Sequence, residues 1–462
     1  MNDLSLTLGW VTRAVGGTMR AGDADRPVGE VVTDSRALQK GDLFIALRGP
    51  RFDAHAFVDD VMSRGAAGAI VEAGRASGVG LVEVGDTLKA LQALAHAIRR
   101  AAGTRVIVLT GSAGKTTTKE AIAEMLATRN RVVKNKGNLN NHIGLPLSLM
   151  QLRARPDVAV MELGMNHAGE ISTLVEIAEP DVRVWTNVGD AHLGFFASPD
   201  AIADAKAEIL ERASADTVLV CNADDVRVMT RAKDFVGRTL TFGTDAAATV
   251  RAQEIDDRGV DGMRARVTTP AGERTFETPL LGRGNLSNVL AATAVALDAG
   301  ITLDEIAAVA ARLQPTGRRG AVRRLRDGVT LVDDSYNSSP SALRRALDVV
   351  ARESHAARKV AVLGEMLELG DHARALHDAC GRAAASSGIT LLFAIGGEPA
   401  RALADAAVAA GMPAASVRYF EKSDDAAPSI VQAIGPGDLV LVKGSRATRT
   451  DVVVDRLVAE LG

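Results

Sequence analysis

Short apolar runs, each closed by glycine or a polar cluster, punctuate the 462-residue chain. Between Arg105 and Asn222 four of them, VIVLT, VAVMEL, VRVWTNV and TVLVCN, alternate with stretches of helical periodicity. That alternation predicts βαβ units and a parallel sheet. A second series, GVTLVDD, KVAVLGE, LLFAIGG and DLVLVKG, repeats the pattern near the end of the chain. Ligands of open α/β sheets gather at the carboxyl ends of the strands. DDSYN, GEMLELG and KGSRATR should therefore share one rim.

Upstream, GEVVTDSR, GDLFIALRG and AGAIVE read as strands and HAFVDDVMSRG as a helix. In TLKALQALAHAIRR, Leu88, Leu91, Leu94, Ala95 and Ile98 recur at helical spacing, and Gly103 then breaks the chain. QPTGRRG (Gln314 to Gly320) reads as a linker. The expected class is α/β in three domains. Residues 1–102 form a small α/β N-terminal domain. Residues 103–314 form a central P-loop domain of ATPase type on a parallel sheet, and 315–462 a Rossmann-like C-terminal domain.

Length agrees, since roughly 150 residues per domain suggests about three. Composition excludes several partners. A net charge of −3 lacks the basic face that nucleic acid asks for, and 3% aromatics leave few stacking platforms. The two cysteines, Cys221 and Cys380, have no metal spacing and read as reduced residues of a cytoplasmic protein. MNDLSLTLGW lacks the basic and apolar regions of a signal peptide. No apolar run reaches the roughly 18 residues of a membrane span.

The chemistry starts at LTGSAGKTTTKE, Leu109 to Glu120. An apolar strand, a glycine loop, Lys-Thr and a helix build a phosphate cradle, with backbone N–H groups of Gly111, Ser112, Ala113, Gly114, Lys115, Thr116 and Thr117 facing the anion. Lys115 would reach the outer phosphates and Thr116 would ligate Mg²⁺. The early Walker glycine is missing, because Leu109 stands in its place. The bland alternative is an ordinary glycine turn with a solvated lysine; the strand before and the helix after disfavour it.

Glu162 ends the next strand, where a second Mg²⁺ contact is expected, or a rim carboxylate with no metal. His192 lies in a glycine-rich loop, as a ligand or as a structural residue. Lys206 has Ile202, Ala203, Ile209 and Leu210 three and four positions away, so helical spacing puts it inside an apolar stripe. It is either a snorkelling lysine or a desolvated amine of depressed pKa, able to react with carbon dioxide. Asn285 and Asn288 share a helical face and could read a nucleobase edge, or Asn285 could cap the helix. Ser339 and Pro340 read as a helix start.

Taken in order, these motifs resemble the Mur ligase family over essentially the whole chain. TDSRALQKGDLFIALRGPRFDAHAF is similar to the UDP-binding block, and TGSAGKTTTKE to a phosphate loop that lacks the early glycine. KGNLNNHIGLPL, MELGMNHAGEI, TNVGDAHLGFF and AKAEI resemble central-domain signatures. DDSYNSSPSAL, LGEMLELG and VKGSRATRTDVVV resemble the C-terminal domain. NLNNHIGLP, MELGMNHAGEI and DDSYN together point to the type that adds D-alanyl-D-alanine to UDP-N-acetylmuramoyl-tripeptide.

The resemblance implies an ATP-dependent, ADP-forming amide ligase of peptidoglycan precursor synthesis, working through an acyl phosphate with two Mg²⁺ ions. It assigns Lys115, Glu162, His192 and Lys206 to catalysis. Thr116, Glu162, His192 and Lys206, the last as a carbamate, would hold metal. Asn285, Asn288, Arg318 and Asp334 join the loop around ATP. Ser35, Arg36, Asn140 and Asn141 would hold the UDP-linked peptide; Lys443, Ser445 and Arg446 fall where the dipeptide binds. A cytoplasmic monomer is expected. One position departs from the pattern: relatives often carry His just before the first Asn of GRGNLSN, and here it is Gly284. A contact near the adenine is then absent or supplied elsewhere.

Overall fold

The computed structural model describes residues 3–191 and 193–462. Its contacts divide the chain into two compact units. The first comprises Met1–Leu109, Arg129–Arg183 and Glu208–Thr217. The second comprises Thr110–Thr128, Val184–Ala207 and Val218–Gly462.

In the first unit, a five-stranded sheet has the spatial order Thr18–Met19, Leu81–Val84, Gly68–Glu72, Leu43–Ile45, Val31–Val32. All its pairings are parallel except the first. Phe44, Val58, Val61, Ala69 and Val71 pack its core. Helix α1 (Thr87–Ala102) follows, capped by the Asp86 carboxylate on the N–H groups of Leu88 and Lys89. The apolar stripe read from the sequence is its buried face: Leu91, Leu94, Ala95 and Ile98 are fully buried and Leu88 partly. Gly103 ends the helix at φ 70°, a left-handed cap that favours glycine. The chain then enters strand Arg105–Thr110, which pairs in parallel with Val158–Glu162; that strand in turn pairs with Val132–Lys134. Burial on both faces explains the near-continuous valine runs.

In the second unit, helix α2 (Lys115–Leu126) follows the phosphate loop and helix α3 (Pro199–Ala207) carries Lys206. Strands Val218–Asn222, Arg238–Gly243 and Val250–Asp257 run parallel; Met263–Thr269 and Gly272–Thr278 then turn back antiparallel. Helix α4 (Gly282–Asp298) holds both asparagines. Residues 314–320 form no helix or strand, as their composition suggests.

The C-terminal sheet has six strands in the order Ala321–Arg324, Thr330–Asp334, Leu439–Lys443, Lys359–Gly364, Leu391–Ile395, Val417–Phe420. Only the first pair is antiparallel. Four of the six are the expected apolar runs; the half-buried edge strands Ala321–Arg324 and Val417–Phe420 lack that signal. Alternate residues feed two cores, Val332 and Ala361 one face, Leu331, Val360 and Val362 the other. Helix α5 (Pro340–Arg352) starts at the Ser339 cap with Pro340 in its first turn.

Candidate active site

The phosphate loop is held open by its neighbours in the second unit. Gly111 adopts φ 156°, and a Cβ there would lie 1.9 Å from the Thr186 hydroxyl. Gly114 adopts φ 83°, and its Cβ would lie 2.2 Å from Asn288 Oδ1. Both positions exclude any side chain, which is why this loop spends glycine where it does. Asn187 clamps the loop from outside. Its carbonyl accepts from the Ser112 N–H at 3.0 Å, and its amide oxygen from the Ala113 N–H at 2.9 Å. Its Nδ2 donates to the Ala113 carbonyl at 2.9 Å. Two of the N–H groups expected to wrap phosphate thus hold the loop's shape, and the first turn of α2, with Lys115, Thr116 and Thr117, presents the helix N-terminus. Lys115 Nζ donates to the Gly111 carbonyl at 2.7 Å.

Lys206 is 1% exposed. Helix α3 ends one residue later, so Ile209 and Leu210 belong to the following 3₁₀ turn and not to a continuing α-helix. Ile202, Ala203 and Ile209 are nonetheless buried, and Asp204 faces solvent, where it pairs with Arg231. Among the described residues no hydrogen bond or ion pair reaches Lys206. Burial, and secondarily the charge of Lys115, push its pKa well below the ordinary lysine value. Of the two readings of this residue, the desolvated amine fits and the snorkelling one does not. His192 lies outside the described residues. Among the described residues no three His, Cys, Asp or Glu side chains gather as a metal centre. The expected metal set is different in kind: a hydroxyl, one carboxylate, a histidine and a modified lysine.

Asn285 does not cap α4. It sits four residues after the N-cap Leu281, and its Nδ2 donates to the Leu281 carbonyl at 2.9 Å. Asn288, buried against Gly114, donates to Asn285 Oδ1 at 3.1 Å. The two amides form one polar row leading away from the loop.

In the first unit, Glu162 ends its strand level with Leu109, the residue before the loop segment. It is 4% exposed and its Oε1 accepts from Asn140 Nδ2 at 2.9 Å. Asn135, which sequence reasoning missed, clamps the Glu162 backbone with both ends of its amide, at 3.0 and 3.1 Å. Asn141 Oδ1 accepts from the N–H groups of Ile143 and Gly144, starting the next helix. Ser35 and Arg36 occupy a 3₁₀ turn capped by Asp34. Arg36 forks onto that carboxylate and holds its pKa down at about 2.

On the C-terminal rim the structure joins residues that the sequence assigned to different ligands. Lys443 Nζ donates to Asp334 at 2.6 Å and to the Asn337 carbonyl at 3.0 Å. Ser445 is buried, and its hydroxyl accepts from the Leu367 N–H. Arg318 does not meet Asp334. It donates to Asp455 at 2.8 and 3.0 Å and lies 3.6 Å from the fully buried Asp333. Burial raises the Asp333 pKa; the Ser335 hydrogen bonds and Arg318 oppose that shift. Tyr336 lies under the Arg319 guanidinium, 3.6 Å from the ring centre, with Arg446 at 5.7 Å. Asn135, Asn187 and Asp190 (below) escaped sequence reasoning because polar residues in loops carry no periodic signal.

Two family models match this chain. Residues 109–296 match the Mur ligase middle domain and 317–446 the Mur ligase, glutamate ligase domain. The chain is 35% identical over 439 residues to the UDP-N-acetylmuramoyl-tripeptide--D-alanyl-D-alanine ligase of Bacillus subtilis, covering 93% of each. The chain belongs to the Mur ligase family. Its fold is similar to crystal structure I of MurF from Acinetobacter baumannii, with TM-score 0.88, 31% identity, 99% of this chain and 100% of that one covered. It is also similar to the Thermotoga maritima MurF ligase, determined in complex with ADP, at TM-score 0.82, 28% identity and 93% and 97% coverage. This Mur ligase therefore has the three-domain α/β architecture of those structures.

Proposed function

We propose that this Mur ligase joins D-alanyl-D-alanine to UDP-N-acetylmuramoyl-tripeptide, with conversion of ATP to ADP and phosphate. The carrying observation is the extent of the likeness. A shared fold would make any Mur ligase a candidate, but the match to the D-alanyl-D-alanine ligase of Bacillus subtilis keeps 35% identity through 93% of both chains. The setting is peptidoglycan precursor synthesis in the cytoplasm, where nucleotide-linked precursors and ATP meet. The two buried, unpaired cysteines suit a reducing compartment. No helix among the described residues is long and apolar enough to cross a membrane. We take the enzyme to act as a monomer, with residues 1–102 holding the UDP-linked peptide, 103–314 the nucleotide and 315–462 the amine.

The chemistry runs in two displacements. The terminal carboxylate oxygen of the tripeptide attacks the γ-phosphorus of ATP, and ADP leaves. The amine nitrogen of D-alanyl-D-alanine then attacks the acyl carbon, loses a proton, and phosphate leaves with the former carboxylate oxygen. The barrier is charge, since one anion must approach another. The loop at the start of α2 and Lys115 hold and partly neutralise the triphosphate. Bound Mg²⁺, two ions by our reading, supplies the rest of that neutralisation.

Thr116, Glu162, His192 and Lys206 are the residues we assign to metal. Lys206 fits the role only after modification: a buried neutral amine adds carbon dioxide, releases a proton and presents carboxylate oxygens that suit a hard cation. Its burial and its lack of a partner among the described residues support that reading. Asn285, Asn288, Arg318 and Asp334 are assigned to the nucleotide; Ser35, Arg36, Asn140 and Asn141 to the UDP-linked peptide; Lys443, Ser445 and Arg446 to the dipeptide. An ADP-release assay tests the function. Release should require UDP-N-acetylmuramoyl-tripeptide and D-alanyl-D-alanine together, and should not respond to a single amino acid in its place. Release independent of the dipeptide would refute it.

A further inference from the structure

Gly284 is the third residue of α4, and its φ is not among the positive ones, so its backbone would accept any side chain. What a side chain there would meet is the flexible arm of Arg345, which would have to give by a few tenths of an ångström. A Cβ at Gly284 would lie 3.2 Å from Cδ and 3.5 Å from Nη1 of Arg345. Arg345 comes from α5 and occupies the volume above the first turn of α4. Its placement is enforced: Asp190 Oδ1 accepts from the Ser341 N–H at 3.1 Å and hydroxyl at 2.7 Å, while Oδ2 accepts from Arg344 at 3.3 Å. Those bonds pin the first turns of α5 and also engage both Asp190 oxygens. Arg345 keeps one hydrogen bond, Nε to the Ser341 carbonyl at 3.3 Å. Among the described residues its Nη1 and Nη2 have no hydrogen-bond partner; the residue keeps solvent-exposed surface, while neighbouring atoms partly desolvate the guanidinium and lower its pKa, Asp190 opposing that shift and Arg344 adding to it.

The surroundings say what such a guanidinium is for. Asn288 packs on the loop glycine Gly114, and Asn285 is bonded to Asn288. Gly284 adjoins Asn285, about one helical turn, roughly 6 Å of rise, from Asn288. A nucleotide with its phosphates at Lys115 and its base along the two amides brings the base, not the phosphates, under Arg345. A flat guanidinium beside a base-reading amide pair stacks well on a π-face. We propose that Arg345 lies on the face of the nucleotide's base and takes the place that a side chain at position 284 would fill. The proposal rests on the assignment of Asn285 and Asn288 to the base made above.

Titration calorimetry with a non-hydrolysable ATP analogue and Mg²⁺, run beside inorganic tripolyphosphate, tests it. Arg345→Ala should weaken the analogue about tenfold and leave tripolyphosphate within about twofold. Arg345→Lys, which keeps the charge and loses the plane, should behave like Arg345→Ala. Unchanged analogue affinity in Arg345→Ala, equal losses for analogue and tripolyphosphate, or full affinity in Arg345→Lys would each overturn the stacking role. Binding of the UDP-linked peptide by each variant verifies its fold. If the wild-type protein itself bound no analogue, the ATP reading would fail instead, so the two failures are separable.

Discussion

Around Gly111–Thr117 the protein fixes backbone with side chains; around Asp334 and Lys443 it fixes side chains with one another. The loop is shaped before any ligand arrives, because Asn187 bonds three of its backbone groups and Thr186 Oγ1 donates to the Ala113 carbonyl at 3.0 Å. The rim is paired instead: Lys443 on Asp334, Arg318 on Asp455, Arg319 on Tyr336. A preformed loop suits a ligand common to the whole reaction class. A rim of exchangeable pairs suits ligands that arrive in turn and trade one partner for another. Lys206 belongs to the first plan by location and to neither by chemistry, since its amine is buried with no partner among the described residues.

The largest effect that would break this contrast concerns Lys206. Lys206→Met should reduce kcat by ~10³ or more, the scale of losing a charge-stabilising group in a closed site. It should also raise the thermal midpoint, because a desolvated amine gives way to an apolar side chain of similar length. Near-normal turnover in that variant would remove the carbamate role. Next is the rim pair. Asp334→Asn leaves the nearly buried Lys443 without its carboxylate and should cost about 2 kcal/mol in urea unfolding, below the range for fully buried pairs because Asp334 is partly exposed. Adding Lys443→Met should recover most of it. A neutral single variant would show that the rim does not depend on its pairs.

Smaller still is Asn187→Ala, expected to weaken ATP-analogue binding about tenfold while unfolding stability falls little. The smallest effect separates the two regions by pH. His377 Nε2 accepts from the Met366 N–H at 2.9 Å, holding the rim segment GEMLELG. Burial lowers its pKa below the ordinary 6.5, against the bond to the Ala373 carbonyl and the charges of Glu365, Asp378 and Glu398. The unfolded chain therefore takes up the proton first on acidification. The contribution of neutral His377 is complete above pH 6.5 and is lost as pH falls through the lower folded value. The urea midpoint should drop between pH 7.5 and 5.5, and should drop less in His377→Gln.

The same contrast explains what the sequence disclosed. The phosphate loop was legible because strand, loop and helix are contiguous and each glycine answers a local demand. The burial of Lys206 was legible from apolar spacing, although α3 ends at Ala207 and the stripe continues into a 3₁₀ turn. The fully buried parallel strands of both large sheets showed as apolar runs; the half-exposed strands Val132–Lys134, Arg238–Gly243 and Val250–Asp257, and the edges of the C-terminal sheet, did not. Asn187 meets the loop across 74 residues, Asp190 meets α5 across 151, and Arg345 meets Gly284 from another helix. No spacing rule connects such positions, and the Arg318 partnership with Asp455 spans 137 residues in the same way. Asn285 shows the converse: its type suggested a cap, but the helix begins three residues earlier and its amide bonds the N-cap carbonyl.

We propose that the γ-phosphate is held at this loop and passed to a peptide carboxylate, and isotope transfer tests that step most directly. UDP-N-acetylmuramoyl-tripeptide carrying oxygen-18 in its terminal carboxylate is turned over with ATP, Mg²⁺ and D-alanyl-D-alanine, and the released phosphate is weighed by mass spectrometry. Passage through the acyl phosphate puts one labelled oxygen into each phosphate, in step with peptide formed. Unlabelled phosphate, released while the dipeptide is joined, would contradict it.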